Sequence, residues 1–269
     1  MTRVEKLRYY RPMNIAVLEC EYISDSPVSA AGGYTELFAK LLSLHTEGRS
    51  MQLTTFEAHQ GQLPAGVEDW DAYLITGSYA GVYEGLPWIN ELSEFTRRAY
   101  EAGVPLIGIC FGHQLLAHAL GGTVEKATVG WGLGVMETAI SRHYSWMGPE
   151  EELNTAALIY MHQDQVTSLP ESATAFASTK ICPYAGFTLG PKAVALQGHP
   201  EFTPQLTERL IHELWDRFPE QQAKAALASL SQATEAQATE AQATEAQATD
   251  HARVAGWIAR FLQSAAQGV

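Results

Sequence analysis

Residues 104–122, VPLIGICFGHQLLAHALGG, leave a chain little choice of architecture. From Val104 to Ile109 the run is apolar with no polar alternation, which is how a strand covered on both faces reads. It passes at once into a helical pattern over 112–120 that stops at Gly121-Gly122, where glycine supplies a left-handed cap. A strand buried on both sides needs helices above and below its sheet, so this segment alone predicts a layered α/β fold.

The rest of the pattern agrees. A short apolar strand is predicted at 13–18, then a helix at 34–44 with Leu37, Phe38, Leu41 and Leu42 at helical spacing. Strands at 51–56 and 72–75 follow, and a helix at 87–102 opened by Pro87. Beyond Gly122 come short β-like pieces at 132–140, 156–160, 174–178 and 193–197, then a helix at 203–218 with Leu206, Leu210, Ile211 and Leu214 on one face. This alternation predicts a three-layer α/β/α domain over 13–218 with a mostly parallel central sheet. An N-terminal extension at 1–12 precedes it and a helical extension at 219–269 follows it.

Within the C-terminal extension the pentapeptide ATEAQ occurs three times in tandem from Ala233 and runs out in Ala248-Thr249-Asp250. A five-residue period turns about 500° on a helix, so equivalent positions drift by about 140° per repeat and build no fixed apolar face. Residues 233–250 therefore read as a solvated helix or, slightly ahead of it, a disordered linker between two packed helices. After it, Val254, Trp257, Ile258, Phe261 and Leu262 fall at amphipathic spacing, so the last helix is expected to dock.

Composition narrows the function. With 30 acidic against 17 basic residues the net charge is −13, and no basic tract is clustered, which excludes nucleic acid and anionic membrane surfaces as partners. A hydrophobic content of 46% supports a buried core, yet no apolar stretch is long enough for a signal-peptide core or a membrane span. Three scattered cysteines, Cys20, Cys110 and Cys182, point to a reducing, cytoplasmic setting. The nine histidines show no HExxH-type spacing, and His113 and His118 stand five apart, off one helical face; no metal and no cofactor are expected.

Chemistry concentrates at Gly108-Ile109-Cys110-Phe111-Gly112, where a cysteine sits between strand and helix with glycine two positions to either side. This is the nucleophile-elbow pattern G-x-S-x-G with sulfur in place of oxygen: the backbone is strained and packs so closely that only small neighbours fit. A helix start favours thiolate over thiol, and the thiolate is the attacking species. The Phe111 N–H is a candidate oxyanion donor, with Gly77 or Ser78, in the turn after strand 72–75, as the second. For Cys20 and Cys182 a small buried hydrophobe is the plainer reading.

The partner base is expected on another strand end. VALQGHPE delivers His199 and, two residues later, Glu201; Pro200 pushes His199 toward extended geometry, and i and i+2 side chains then project to the same side. Glu201 can orient the imidazole while its other nitrogen faces the thiol.

GICFGHQLLAHALGG and LQGHPEF together resemble the two signature segments of class I glutamine amidotransferases, as found in carbamoyl-phosphate synthetase small subunits and the amidotransferase domain of GMP synthase. The resemblance spans roughly 14–218. It implies a flavodoxin-like fold, a triad of Cys110, His199 and Glu201, oxyanion donors at Phe111 and Gly77 or Ser78, and a glutamine contact for Gln114. His162 and Asp164 in MHQDQV resemble the family's His-x-Asp loop beside the substrate pocket, while a strand-ending turn explains the same residues as well. The stretch TGSYAGVYEGLPWI departs from the two-glycine-proline turn of many members and is similar to that of stand-alone γ-glutamyl peptidases.

The activity so implied is cysteine-dependent hydrolysis of a γ-glutamyl C–N bond, in glutamine or another small γ-glutamyl compound, through a γ-glutamyl thioester. No glycine-rich phosphate cradle or acceptor domain is recognised in these residues, so ammonia is expected to go to a separate synthetase subunit. The alternatives are a γ-glutamyl peptidase acting on glutathione-type conjugates and a non-catalytic regulatory module working through its C-terminal helix.

Overall fold

The computed structural model describes residues 11–21, 26–45, 48–148, 154–238 and 249–265. It begins with β1 (Met13–Leu18), the single turn α1 (Pro27–Ala30), α2 (Gly33–Ser43), β2 (Met51–Phe56), β3 (Ala72–Ile75), α3 (Pro87–Glu101), β4 (Leu106–Ile109) and α4 (Phe111–Ala119). β5 (Thr123–Lys126), β6 (Gly132–Ile140), β7 (Thr155–His162), β8 (Asp164–Ser168), β9 (Thr174–Ser178), β10 (Gly186–Leu189) and β11 (Ala193–Leu196) follow. Three helices come last: α5 (Pro204–Glu213), α6 (Glu220–Ala238) and α7 (His251–Ala265).

Among the described residues, nine strands form one sheet in the order β2-β1-β3-β4-β11-β10-β9-β6-β7. The five from β2 to β11 are parallel, and the pairings from β11 outward to β7 are antiparallel. β5 and β8 pair separately as an antiparallel ribbon. β2, at the sheet edge, has no fully buried residue, but the inner parallel strands bury alternate residues on opposite faces: Ile15, Leu74 and Ile107 join the core under α2 and α7, whereas Ala16, Tyr73 and Leu106 join that under α3 and α4. Such two-sided burial is why these strands lack polar alternation.

Two expectations need correction. The helix at 203–218 ends at Glu213 and tightens into a 3-10 turn, Trp215–Arg217, because Phe218 precedes Pro219 and is extended, at φ −106° and ψ 143°. The repeat is also not a linker throughout, since Ala233 to Ala238 continue α6; residues 239–248 of the repeat lie outside the described residues. α6 has a buried face made mostly of alanine, Ala223, Ala226 and Ala233 with Leu230. It lies close on β6, where a Cβ at Gly134 (φ 85°) would come 2.8 Å from the Cα of Ala226.

α7 packs on α2 and on the 3-10 turn Ser145–Met147. There Arg260 donates to the carbonyls of Trp146 and Met147, 2.8 Å each, and Phe261 meets Trp146 edge-on. None of the helices among the described residues is long and apolar enough to cross a membrane.

What positions the site is the order of three strands. β4 lies between β3 and β11, with Ile75 opposite Gly108 and Leu196 opposite Ile109. The carboxyl ends of these parallel strands bring Thr76-Gly77-Ser78, Cys110 and His199 to one edge of the sheet, where α/β folds place their sites.

Candidate active site

Cys110 has φ 53° and ψ −102° and, among the described residues, is the one non-glycine with positive φ. The surroundings fix this strained backbone. Cys110 N donates to Leu196 O (2.9 Å), Gln114 N to Cys110 O (3.1 Å) and Gly112 N to Thr76 O (3.1 Å). The flanking glycines are required by contact: a Cβ on Gly108 would lie 2.4 Å from the Gly112 carbonyl oxygen, and one on Gly112 2.2 Å from that of Ile75. Cys110 is 5% exposed and opens into a cavity of about 350 Å³. Cys20 and Cys182 are buried without such an opening on this cavity, and burial pushes both thiols up.

His199 follows β11 and is tied to β7 by its N–H, which donates to Ile159 O at 2.7 Å. Its Nδ1 lies 2.7 Å from Glu201 Oε1, and its ring stacks on Phe202 with centroids 4.1 Å apart. With Nδ1 engaged, Nε2 is the nitrogen left to face Cys110, whose Sγ donates to Met161 O at 4.0 Å and interacts electrostatically with the imidazole. Burial by itself lowers the imidazole pKa, but attraction to Glu201 and to the Cys110 sulfur, with hydrogen bonds to both, reverses that and pushes it up to about 10. The Glu201 side chain is fully buried.

Phe111 is the first residue of α4, so its N–H faces outward from the helix start. Gly77 passes close against the imidazole, where an added Cβ would lie 3.1 Å from both His199 Cε1 and the Tyr34 hydroxyl. The Ser78 hydroxyl is already engaged, donating to Glu21 Oε2 at 3.3 Å and accepting from Ala80 N at 3.1 Å.

Gln114, His162 and Asp164 all border the cavity. Gln114 Nε2 donates to Asp164 O (2.8 Å) and Gln197 Oε1 (3.1 Å). His162 donates from Nδ1 to Asp164 O at 2.9 Å, and burial lowers its pKa to about 4. His162 ends β7 and Asp164 begins β8, so the pair spans a one-residue turn between strands as well as bordering the cavity.

The model of the family described as glutamine amidotransferase class-I matches residues 37–215, about two thirds of the chain. The protein belongs to this family. Gamma-glutamyl peptidase 3 of Arabidopsis thaliana is 30% identical over 186 residues, 67% of this chain and 73% of its own. A glutamine amidotransferase-like protein of Schizosaccharomyces pombe is 28% identical over 227 residues, 80% of this chain and 90% of its own. Among solved structures, a glutamine amidotransferase of Thermotoga maritima superposes with a TM-score of 0.70 at 18% identity, covering 94% of this chain and 100% of that one. This amidotransferase fold accounts for the mixed sheet with its parallel centre.

Several residues that line the cavity or bond to its lining were not singled out from the sequence. Tyr83 donates its hydroxyl to Asp164 Oδ2 at 2.8 Å, Glu21 accepts from Tyr79 N at 2.5 Å, and Gln197 holds Gln114. The available signal was the departing turn TGSYAGVYEG, which carries Tyr79 and Tyr83.

Proposed function

We propose that this family member hydrolyses the C–N bond of a γ-glutamyl amide through a cysteine thioester. The observation that carries this reading is the His199 imidazole, held between the Glu201 carboxylate at 2.7 Å and the side chain of Cys110 on a strained strand-to-helix turn. Cys110 Sγ attacks the γ-carbonyl carbon, and the oxyanion is held by the N–H of Phe111 with one from Gly77 or Ser78. His199 passes its Nε2 proton to the departing amine as the C–N bond breaks. A water then attacks the thioester carbon, His199 takes its proton, and glutamate leaves as the thiolate is restored. Glu201 orients the ring and stabilises the imidazolium. Gln114, His162 and Asp164 are assigned to the γ-glutamyl moiety.

Support for a leaving amine larger than ammonia comes from the cavity wall, which carries Tyr79, Tyr83, Trp131 and Arg217. The similarity to a gamma-glutamyl peptidase points the same way. The substrate is therefore a small γ-glutamyl peptide or conjugate, hydrolysed in the cytoplasm, whose reducing conditions suit the three free, buried cysteines.

Cys110→Ala is expected to lower turnover of a γ-glutamyl dipeptide by about 10,000-fold or more. A γ-glutamyl chloroketone is expected to label Cys110, read by peptide mass. Wild-type rates in the alanine variant end the proposal. Faster turnover of glutamine than of the dipeptide assigns the chain instead to ammonia supply for a separate synthetase subunit.

A further inference from the structure

The C-terminal helix enters the molecule beside the acid of the site. Asp250 exchanges two hydrogen bonds with Ala157 on β7: Asp250 N donates to Ala157 O at 2.8 Å, and Ala157 N to Asp250 Oδ2 at 2.7 Å. β7 is the outermost strand of the sheet, so these bonds cover edge groups that no further strand takes up. Arg253 adds a bond to Thr155 O at 2.8 Å and an ion pair to Asp250 at 2.7 Å. The first turn of α7 is thus fixed on the sheet edge, and its apolar residues Val254, Trp257, Ile258, Phe261 and Leu262 are buried in the core.

From that fixed turn His251 reaches the site. Its Nδ1–H donates to the carbonyl of Pro200 at 2.5 Å, and Pro200 is the residue between His199 and Glu201. The turn that joins imidazole to carboxylate is therefore held at three points: His199 N on Ile159 O, His199 Nδ1 on Glu201, and Pro200 O on His251. The third point comes from 51 residues further along the chain. Glu201 Oε2 and His251 Nε2 are both buried with no hydrogen-bond partner among the described residues. Burial lowers the His251 pKa, while the Pro200 carbonyl, Glu201 and Asp250 oppose that shift. The neutral ring then carries its proton on Nδ1, as the carbonyl demands.

We propose that His251 is a positioning residue for the hydrolytic site, holding the His199-Pro200-Glu201 turn by the Pro200 carbonyl so that Glu201 meets His199 Nδ1. The assignment rests on the hydrolytic reading given above. His251 touches no reacting atom; it makes the docked C-terminal helix a working part of the site.

Kinetics of the full chain on a γ-glutamyl dipeptide, normalised to the Cys110 titrated by a γ-glutamyl chloroketone, supply one readout. His251→Ala is expected to lower kcat roughly tenfold with KM changed less than about twofold. His251→Asn sets an amide N–H near the place of Nδ1 and restores most of the loss, whereas His251→Gln sets its donor near the place of Nε2 and does not. A merely structural role lowers the titratable fraction and leaves kcat per site unchanged; that result, or equal kcat in the Asn and Gln variants, overturns the proposal. The other readout needs no substrate: the pH dependence of iodoacetamide alkylation at Cys110, mapped by mass. A profile shifted in His251→Ala and restored in His251→Asn supports positioning whether or not any γ-glutamyl compound is turned over; absent turnover then counts against the hydrolytic reading alone. Identical profiles in wild type and both variants overturn the positioning role.

Discussion

His113 and His199 are both buried, and each gives one ring nitrogen to an acceptor 2.7 Å away, yet burial ends differently in the two places. In the first turn of α4, His113 donates from Nε2 to the Tyr184 carbonyl and lies against the Phe187 ring, with Nδ1 unpartnered among the described residues. Burial outweighs the Tyr184 carbonyl, which favours the charged ring, and takes its pKa down to about 3. At the end of β11, His199 faces a carboxylate on one nitrogen and a thiol on the other, and its pKa is pushed up to about 10. A neutral carbonyl can satisfy a buried imidazole without keeping it charged; the Glu201 carboxylate at 2.7 Å does favour the charged form.

The largest test of this contrast replaces the side chain that has both partners. His199→Gln keeps a polar group near Cys110 but cannot shuttle a proton, and is expected to lower kcat/KM for a γ-glutamyl dipeptide by about 10,000-fold. A variant retaining a tenth of wild-type kcat/KM breaks the assignment of His199 as acid and base. Next comes Glu201→Gln, which keeps the shape and one hydrogen bond but removes the charge. Its loss is expected at about 100- to 1,000-fold, and the alkaline decline of kcat is expected to begin at lower pH than in wild type, because the imidazolium has lost its anion. An unmoved alkaline limb shows that Glu201 does not set the protonation of His199.

The same contrast explains what could be read in advance. β1, β3 and β4 announce themselves because their residues form continuous or nearly continuous apolar runs at lengths typical of strands, whereas β2, MQLTTF, mixes polar and apolar residues. The β5–β8 ribbon does not: Val124 is the one buried residue of TVEK and Val166 of DQVTS, too few for a period to show. The helical extension at 219–269 is expected, but the limits and packed face of α6 are not, because that face is mostly alanine, which hydrophobic patterning barely registers. In the site, the sharp turn at Cys110 and the extended His199 are legible because close glycines and one proline encode them within a few residues. Contacts made across the sheet leave no local trace. Tyr83 and Asp164 are 81 residues apart, Gln114 and Gln197 83, and His251 and Pro200 51. Nor do the immediate neighbours of His113 show that it is core, since its partners Tyr184 O and the Phe187 ring lie more than 70 residues away.

The smallest effect on activity, and the sharpest on the comparison, is expected from His113→Leu. Its kcat/KM per titrated Cys110 is expected within about threefold of wild type, since the ring has no contact with the reacting groups. Its mark falls on stability against pH. Between its ordinary value of 6.5 and about 3, the unfolded chain takes up a proton at His113 that the folded chain refuses, so stability falls as pH drops through that window. His162, lowered to about 4, contributes with the same sign. His199 works the other way: the folded chain keeps its proton between 6.5 and about 10 while the unfolded chain loses it, so its contribution is full below that window and is lost as pH rises through it. The leucine variant leaves the Tyr184 carbonyl without its donor, a cost that does not vary with pH. Urea midpoints of wild type and His113→Leu are therefore expected to run parallel above pH 6.5 and to converge below it, as the wild type alone loses the His113 contribution. Parallel curves throughout the acid window contradict a neutral, buried His113 and remove the contrast with His199.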